Sequence, residues 1–128
     1  MFALPGITAL LMESCASVPM VKVKLDTTVK EFTITIAKFE KSKLVIVRVK
    51  NFAFDLLIIK KSETEFKTLE LKCSHEDQPL TMSNKNIYCT SHGSVFDFEG
   101  NALKEPASKP LKSFKTKLVN RVVIITLR

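Results

Sequence analysis

The chain has no tryptophan, one tyrosine, three glycines, three cysteines and two histidines among its 128 residues. Its net charge is +7, but the lysines are scattered and alternate with apolar residues. There is no Arg-rich run, and with one tyrosine and no tryptophan the sequence does not support a nucleic-acid platform of interleaved aromatic and basic residues. Three cysteines cannot make a disulfide framework. A content of 45% hydrophobic and 26% charged residues is typical of a single globular domain.

The first twenty residues differ from the rest. Residues 2–11 are largely apolar, but they are too few for a membrane-spanning helix, which needs about 20 residues. They resemble the apolar core of a secretory signal, and the Leu-Met-Glu-Ser-Cys run that ends at Cys15 is similar to a lipoprotein processing site. No basic residue precedes the apolar core, so an ordinary buried segment is the alternative. We expect residues 1–20 to be a signal-like or lipoprotein-like segment, with Cys15 as the candidate lipidation site.

The sequence from residue 21 onward predicts β-structure. Alternating or β-branched stretches predict five strands, over residues 31–36, 43–49, 54–60, 66–71 and 121–127. No helical period longer than two turns follows residue 20, and there is no internal repeat or linker. Residues 21–128 are therefore predicted to form one all-β domain of short antiparallel strands.

Both histidines and two of the three cysteines fall in one short segment. Cys73-Ser74-His75 is followed after thirteen residues by Cys89-Thr90-Ser91-His92. Thiolate sulfur and imidazole nitrogen are ligands that both iron and zinc accept. Two loops with two donors each predict a metal centre, and the donors alone leave a structural zinc site and an iron–sulfur cluster both open.

These two motifs resemble those of the Rieske iron–sulfur family, and in particular its small bacterial members. In that family each of two loops gives one Cys and one His to a [2Fe–2S] cluster. The resemblance implies that Cys73 and Cys89 bind the inner iron, and that His75 and His92 bind the outer, redox-active iron. It also implies an antiparallel β-sandwich or barrel with the cluster-binding subdomain at its tip.

The residues that follow the second motif extend the resemblance. The Ser94 hydroxyl would donate to a bridging sulfide, whereas Phe96 stands where high-potential members have a tyrosine that donates to a cysteine sulfur. Those members also carry one extra cysteine in each loop, joined as a disulfide. Gln78 or its neighbours and Ser91 take these places here. We therefore expect a reduction potential between the respiratory and the low-potential types.

Residues 105–111 are similar to the proline-bearing loop that covers the cluster in this family. The residues of this cover loop that the resemblance singles out are Pro106, Ala107 and Pro110. Lys104 and Lys109 flank the loop, where we expect them to form a solvated rim; the alternative is that they help to dock an acidic redox partner.

The function that the resemblance implies is one-electron transfer between redox partner proteins. The chain would be an electron carrier or a subunit of an oxidoreductase complex rather than an enzyme. With the N-terminal segment and a membrane tether at Cys15, it would serve an exported, periplasmic or membrane-anchored redox chain; without a signal, it would be cytoplasmic. The alternatives are a ferredoxin that feeds an oxygenase and a structural Cys2His2 zinc module.

Overall fold

The computed structural model describes residues 18–83 and 85–128, so Cys15 and the signal-like segment up to residue 17 lie outside the described residues. The regular secondary structure of the described residues is almost all β, as predicted. The strands are β1 Met20–Val23, β2 Glu31–Thr35, β3 Leu44–Val49, β4 Leu56–Lys60, β5 Phe66–Glu70, β6 Thr81–Met82, β7 Ile87–Tyr88, β8 Val95–Phe96, β9 Ala102–Lys104, β10 Ser113–Val119 and β11 Val122–Thr126. A 3-10 helix spans Ile36–Phe39.

Seven strands form a large sheet in the order β1-β3-β4-β5-β10-β11-β2. Five of them, β2, β3, β4, β5 and β11, are the predicted strands, with ends within two residues of prediction. Strand β10 was not predicted, although inward-facing residues alternate with exposed lysines along it. Positive φ angles at Asn120 and Arg121 form the two-residue turn that joins β10 to β11.

Strand β1 departs from the predicted antiparallel arrangement because it pairs in parallel with β3. Parallel neighbours need a crossover connection. The chain supplies it by running from β1 through β2, on the opposite edge of the sheet, before it returns as β3. Among residues 18–83 and 85–128, no helix has the length and the apolar character needed to cross a bilayer.

The first core lies inside the curled large sheet. Side chains from β2 and β3, which are far apart in strand order, pack in the same buried cluster. This contact requires the sheet to curl on itself, so the fold is nearly a barrel, as the resemblance implied. The buried members are Phe32, Ile34, Phe39, Val45, Val47, Val49, Leu56, Ile58, Phe66, Phe114, Val123 and Ile125.

The second core lies between the large sheet and a small sheet of order β6-β7-β8-β9. Strand β4 contributes to both cores: Leu56 and Ile58 face the first, while Leu57 and Ile59 face the second. The second core also includes Leu69, Leu71, Cys73, Leu80, Ile87, Cys89, Phe96, Ala107 and Leu111. Both cysteines of the candidate metal centre are therefore part of the contact between the two sheets.

An ion-pair network adds a polar link between the sheets. Glu99, in the turn between β8 and β9, pairs with Lys61 and Lys67 of the large sheet. The hydrogen bond from Lys61 lowers the pKa of Glu99 below its ordinary value. These groups are solvent-exposed, so the link orients the small sheet more than it stabilises it.

Candidate metal centre

The first loop leaves the large sheet after β5 and places Cys73 in the second core. The Cys73 side chain is 1% exposed. The Cys73 N–H donates to the carbonyl of Gln78 at 2.9 Å, and the Gln78 N–H donates to the carbonyl of Glu76 at 2.7 Å. These bonds fold the loop back on itself and leave His75 exposed at its turn.

The second loop joins β7 to β8 and repeats this arrangement. Cys89 is 2% exposed, and its N–H donates to the carbonyl of Ser94 at 2.9 Å. The Gly93 N–H donates to the carbonyl of Cys89 at 3.0 Å, with Gly93 at a φ of 80°. Because side chains disfavour this left-handed conformation, glycine suits the tight turn that leaves His92 exposed.

The two loops lie side by side. The ring centroids of His75 and His92 are 5.4 Å apart, with an interplanar angle of 87°. Both cysteines are buried, and neither forms a disulfide with another described residue. The structure thus brings the two predicted imidazoles together at the surface and places both predicted thiols in the second core.

Glu76 lies beside the two exposed imidazoles, a position that was not predicted from the sequence. Its Oε1 lies 2.7 Å from Nδ1 of His92. Ligand atoms of His75, Glu76 and His92 all lie within 4.8 Å of one another, and among the described residues no such group includes either thiol. The sequence feature that could have indicated Glu76 is its position directly after His75, a predicted metal ligand.

The cover loop is hydrogen-bonded to both candidate metal-binding loops (the metal loops), one with Cys73 and His75 and the other with Cys89 and His92. The Ala107 N–H donates to Oγ of Ser94 at 3.0 Å, in a buried position. The Ser74 hydroxyl donates to the carbonyl of Lys109 at 2.6 Å. Since Ser94 accepts in its bond, its own hydroxyl hydrogen is available to another acceptor. Residues 105–111 therefore hold the metal loops in place.

The exposed part of the cover loop includes both of its prolines. Pro106 and Pro110 are exposed, whereas Ala107 is 3% exposed and packs in the second core. The peptide bond that precedes Pro106 is cis. Lys104 and Lys109 are both exposed beside this loop.

Three further predicted positions, Phe96, Ser91 and Gln78, belong to these loops or to the second core. Phe96 is fully buried in the second core with Cys73 and Cys89. The Ser91 hydroxyl donates to Oε1 of Gln78 at 3.4 Å. The positions at which the resemblance places a disulfide in other members are thus neighbours here, joined by a long hydrogen bond.

The chain matches a known family over most of its length. Residues 21–115 match the family model of the Rieske [2Fe-2S] domain. The chain belongs to the Rieske family. Rieske proteins bind a [2Fe–2S] cluster and carry electrons, so the predicted cofactor and the general role in electron transfer are confirmed at the level of the family. Among curated proteins, none matches the chain.

Solved Rieske structures share the fold. The plasma membrane Rieske protein PetC3 from the cyanobacterium Synechocystis PCC 6803 has a TM-score of 0.60 and 18% identity, covering 73% of this chain and 95% of its own. A ferredoxin of carbazole 1,9a-dioxygenase from Nocardioides aromaticivorans IC177 has a TM-score of 0.56 and 15% identity. The match covers 75% of this chain and 95% of that ferredoxin. At these identities the likeness shows the Rieske fold alone.

The donors of this chain fit the family's cofactor. A Rieske cluster requires two thiolates for one iron and two imidazoles for the other. The structure offers two buried thiols and two exposed imidazoles, on adjacent loops that the same cover loop holds.

Replacing Ser94 by Ala should destabilise the fold, because the buried N–H of Ala107 would lose its acceptor. We expect a loss of about 1–3 kcal/mol in the free energy of unfolding, measured by urea titration of the cluster-free protein. Ser91→Ala is the matched control: it removes an exposed hydroxyl from the same loop and should cost less than about 0.5 kcal/mol. Equal losses in the two variants would contradict the role given to the Ser94–Ala107 bond.

Proposed function

We propose that Cys73, Cys89, His75 and His92 hold the cluster, and that the protein transfers single electrons between partner proteins without substrate chemistry of its own. The observation that carries this proposal is the division of the donors by depth. Both thiols are buried in the second core, while both imidazoles are exposed and adjacent. A partner that docks at this tip reaches the imidazoles directly.

Each group of residues has a separate part in this function. When bound, the cluster takes up and releases one electron. Neutral imidazoles in place of two thiolates make the centre less negative and raise its potential, from about −400 mV to roughly −150 to +300 mV. The apolar side chains packed around Cys73 and Cys89 would keep water away from the iron that these thiols hold, and hydrogen-bond donors near the sulfurs would adjust the potential within this range. Ser94 can provide one such donor, whereas Phe96 cannot.

A structural zinc site is the less favoured function of the same donors. Tetrahedral zinc draws its four ligand atoms to within roughly 4 Å of one another. Here the only compact group of ligand atoms in the described residues is His75, Glu76 and His92, without either thiol. The separation of thiols from imidazoles suits a two-iron cluster better than one ion.

We further propose that the protein serves an exported or membrane-associated redox chain. The support is the apolar N-terminal segment, with the lipoprotein-like run that ends at Cys15. The structural neighbours include a plasma membrane Rieske protein, and they also include ferredoxins of dioxygenases. The second role, an electron donor to an oxygenase, is the alternative that those ferredoxins favour.

The decisive test is metal and sulfide analysis of protein purified without oxygen, with EPR after dithionite reduction. We expect about two irons and two sulfides per chain, and the low average g value of mixed Cys/His ligation. Cys73→Ser or Cys89→Ser should abolish the signal, whereas the control Cys15→Ser should keep it. A content of one zinc per chain without sulfide would contradict the proposed electron transfer and would indicate a structural role for the metal.

Replacing Phe96 by Tyr should raise the reduction potential by supplying a hydroxyl donor beside the cysteine sulfurs. The position is buried with both cysteines, so a donor there acts in a dry environment. We expect a rise on the order of 60 mV, a tenfold preference for the reduced state, in protein-film voltammetry. An unchanged or lower potential would mean that the hydroxyl points elsewhere.

Replacing Glu76 by Gln should also raise the potential, because a negative charge beside the imidazoles opposes the added electron. The expected rise is on the order of tens of millivolts. Asp77→Asn is the matched control: it removes the same charge from the next residue, whose side chain is 80% exposed and pairs with Lys72. Equal shifts in both variants would show that the position of Glu76 has no special effect.

A further inference from the structure

Strand β1, at one edge of the large sheet, has two faces of different chemistry. Val21 and Val23 pack against the first core. Met20, Lys22 and Lys24 face outward, and Met20 is 46% exposed. An outward row with one large apolar residue and two lysines is amphipathic, and it leaves the edge strand with a positively charged surface.

The charge of this surface is increased by the neighbouring strand. Lys22 pairs in register with Arg48 of β3, and the Lys50 N–H donates to the carbonyl of Val23. The resulting basic face is a groove of about 420 Å³ lined by Lys22, Val23, Lys24, Arg48 and Lys50. Among the residues that the structure describes, no carboxylate lines this groove.

Only one of the four cations of the basic face is neutralised in the described structure. Arg48 donates two hydrogen bonds of 2.9 Å to Asp55. Lys22, Lys24 and Lys50 form no ion pair with the described residues. Lys24 also borders a neighbouring groove that holds Asp26 and Glu31, without forming an ion pair with either. The positive charges of the basic face repel one another, and an external anion would relieve that repulsion.

Other cationic grooves differ from the basic face because they contain acidic residues. One holds Lys41, Lys43, Lys60 and Lys61 together with Glu40 and Glu63. Another holds Lys115, Lys117 and Arg128 together with Glu31. The scattered lysines elsewhere are thus partly balanced, so the chain's net charge of +7 alone does not explain the basic face.

The basic face lies where the chain emerges from its apolar N-terminal segment. Eight residues separate the apolar residues 2–11 from Met20, a distance of at most about 30 Å when extended. A weak apolar anchor holds a protein stably at a membrane only with a second signal, such as a basic patch. The basic face is correctly placed for that role.

We propose that the basic face contacts the headgroups of anionic phospholipids and acts as a second membrane-binding signal beside the N-terminal segment. This inference builds on the proposed membrane association, but it does not depend on the cluster ligands. Met20 pairs in register with Ile46, which packs against the second core. The basic face therefore flanks the small sheet on the same side of the large sheet, and lipid contact there keeps the candidate metal centre beside the membrane surface.

The test is co-sedimentation of the full chain with vesicles of phosphatidylcholine, alone or mixed with phosphatidylglycerol. The variant carries Lys22→Gln, Lys24→Gln and Lys50→Gln. The matched control carries Lys38→Gln, Lys115→Gln and Lys117→Gln, which remove the same charge from exposed positions elsewhere. Visible absorbance of each protein reports cluster content separately, so a failure of the proposed electron transfer is distinguishable from a failure of lipid binding.

We expect binding to the mixed vesicles that weakens with salt. The variant should lower the partition coefficient by about fivefold for each lysine, or about a hundredfold in all. The control should lower it by less than about threefold, because distant charges are screened. Equal losses in variant and control, or equal binding to both kinds of vesicle, would overturn the proposal. The proposal would also be overturned if the protein failed to bind vesicles but bound an acidic polypeptide. That result would indicate that the basic face binds an acidic protein.

Discussion

Packing of the small sheet against Leu57, Ile59 and Leu69 is the contact on which the rest of the structure depends. It buries strand β4 on both faces and forms the second core. The two cysteines are members of that core rather than additions to its surface, so burial of apolar side chains also fixes the positions of the thiols. A change in this packing would be felt at the candidate metal centre, although none of these three residues lies in its loops.

Much of the fold and of the site could be predicted from the sequence. Five strands had apolar alternation or a run of β-branched residues, and the four donors stood in two unusual short motifs. Strand β10 was not predicted because the polar Thr116 interrupts its inward-facing row between Phe114 and Leu118, and no β-branched run marks it. The parallel pairing of β1 was not predictable, because it depends on which edge of the curled sheet a four-residue strand reaches. Residues 1–17 lie outside the described structure, so the lipidation of Cys15 stays a prediction.

Other features of the site arise from contacts between distant parts of the chain. The resemblance indicated Ser94 as a donor, but its bond with Ala107, thirteen residues away, is visible only once the cover loop is folded. The same holds for Glu76, which meets His92 across the two loops. Local patterns specify residue types and turns, whereas the electrostatics of the surface depend on how the loops come together.

The link between Gln78 and Ser91 gives the two metal loops a noncovalent connection. A hydrogen bond of 3.4 Å between exposed side chains holds the loops far less firmly than a covalent cross-link would. The contact between these loops consequently needs no oxidation of cysteines to a disulfide, and free thiols in the surroundings cannot break it by reduction. A centre built on these two loops would therefore not depend on a disulfide, in a reducing compartment as much as in an oxidising one.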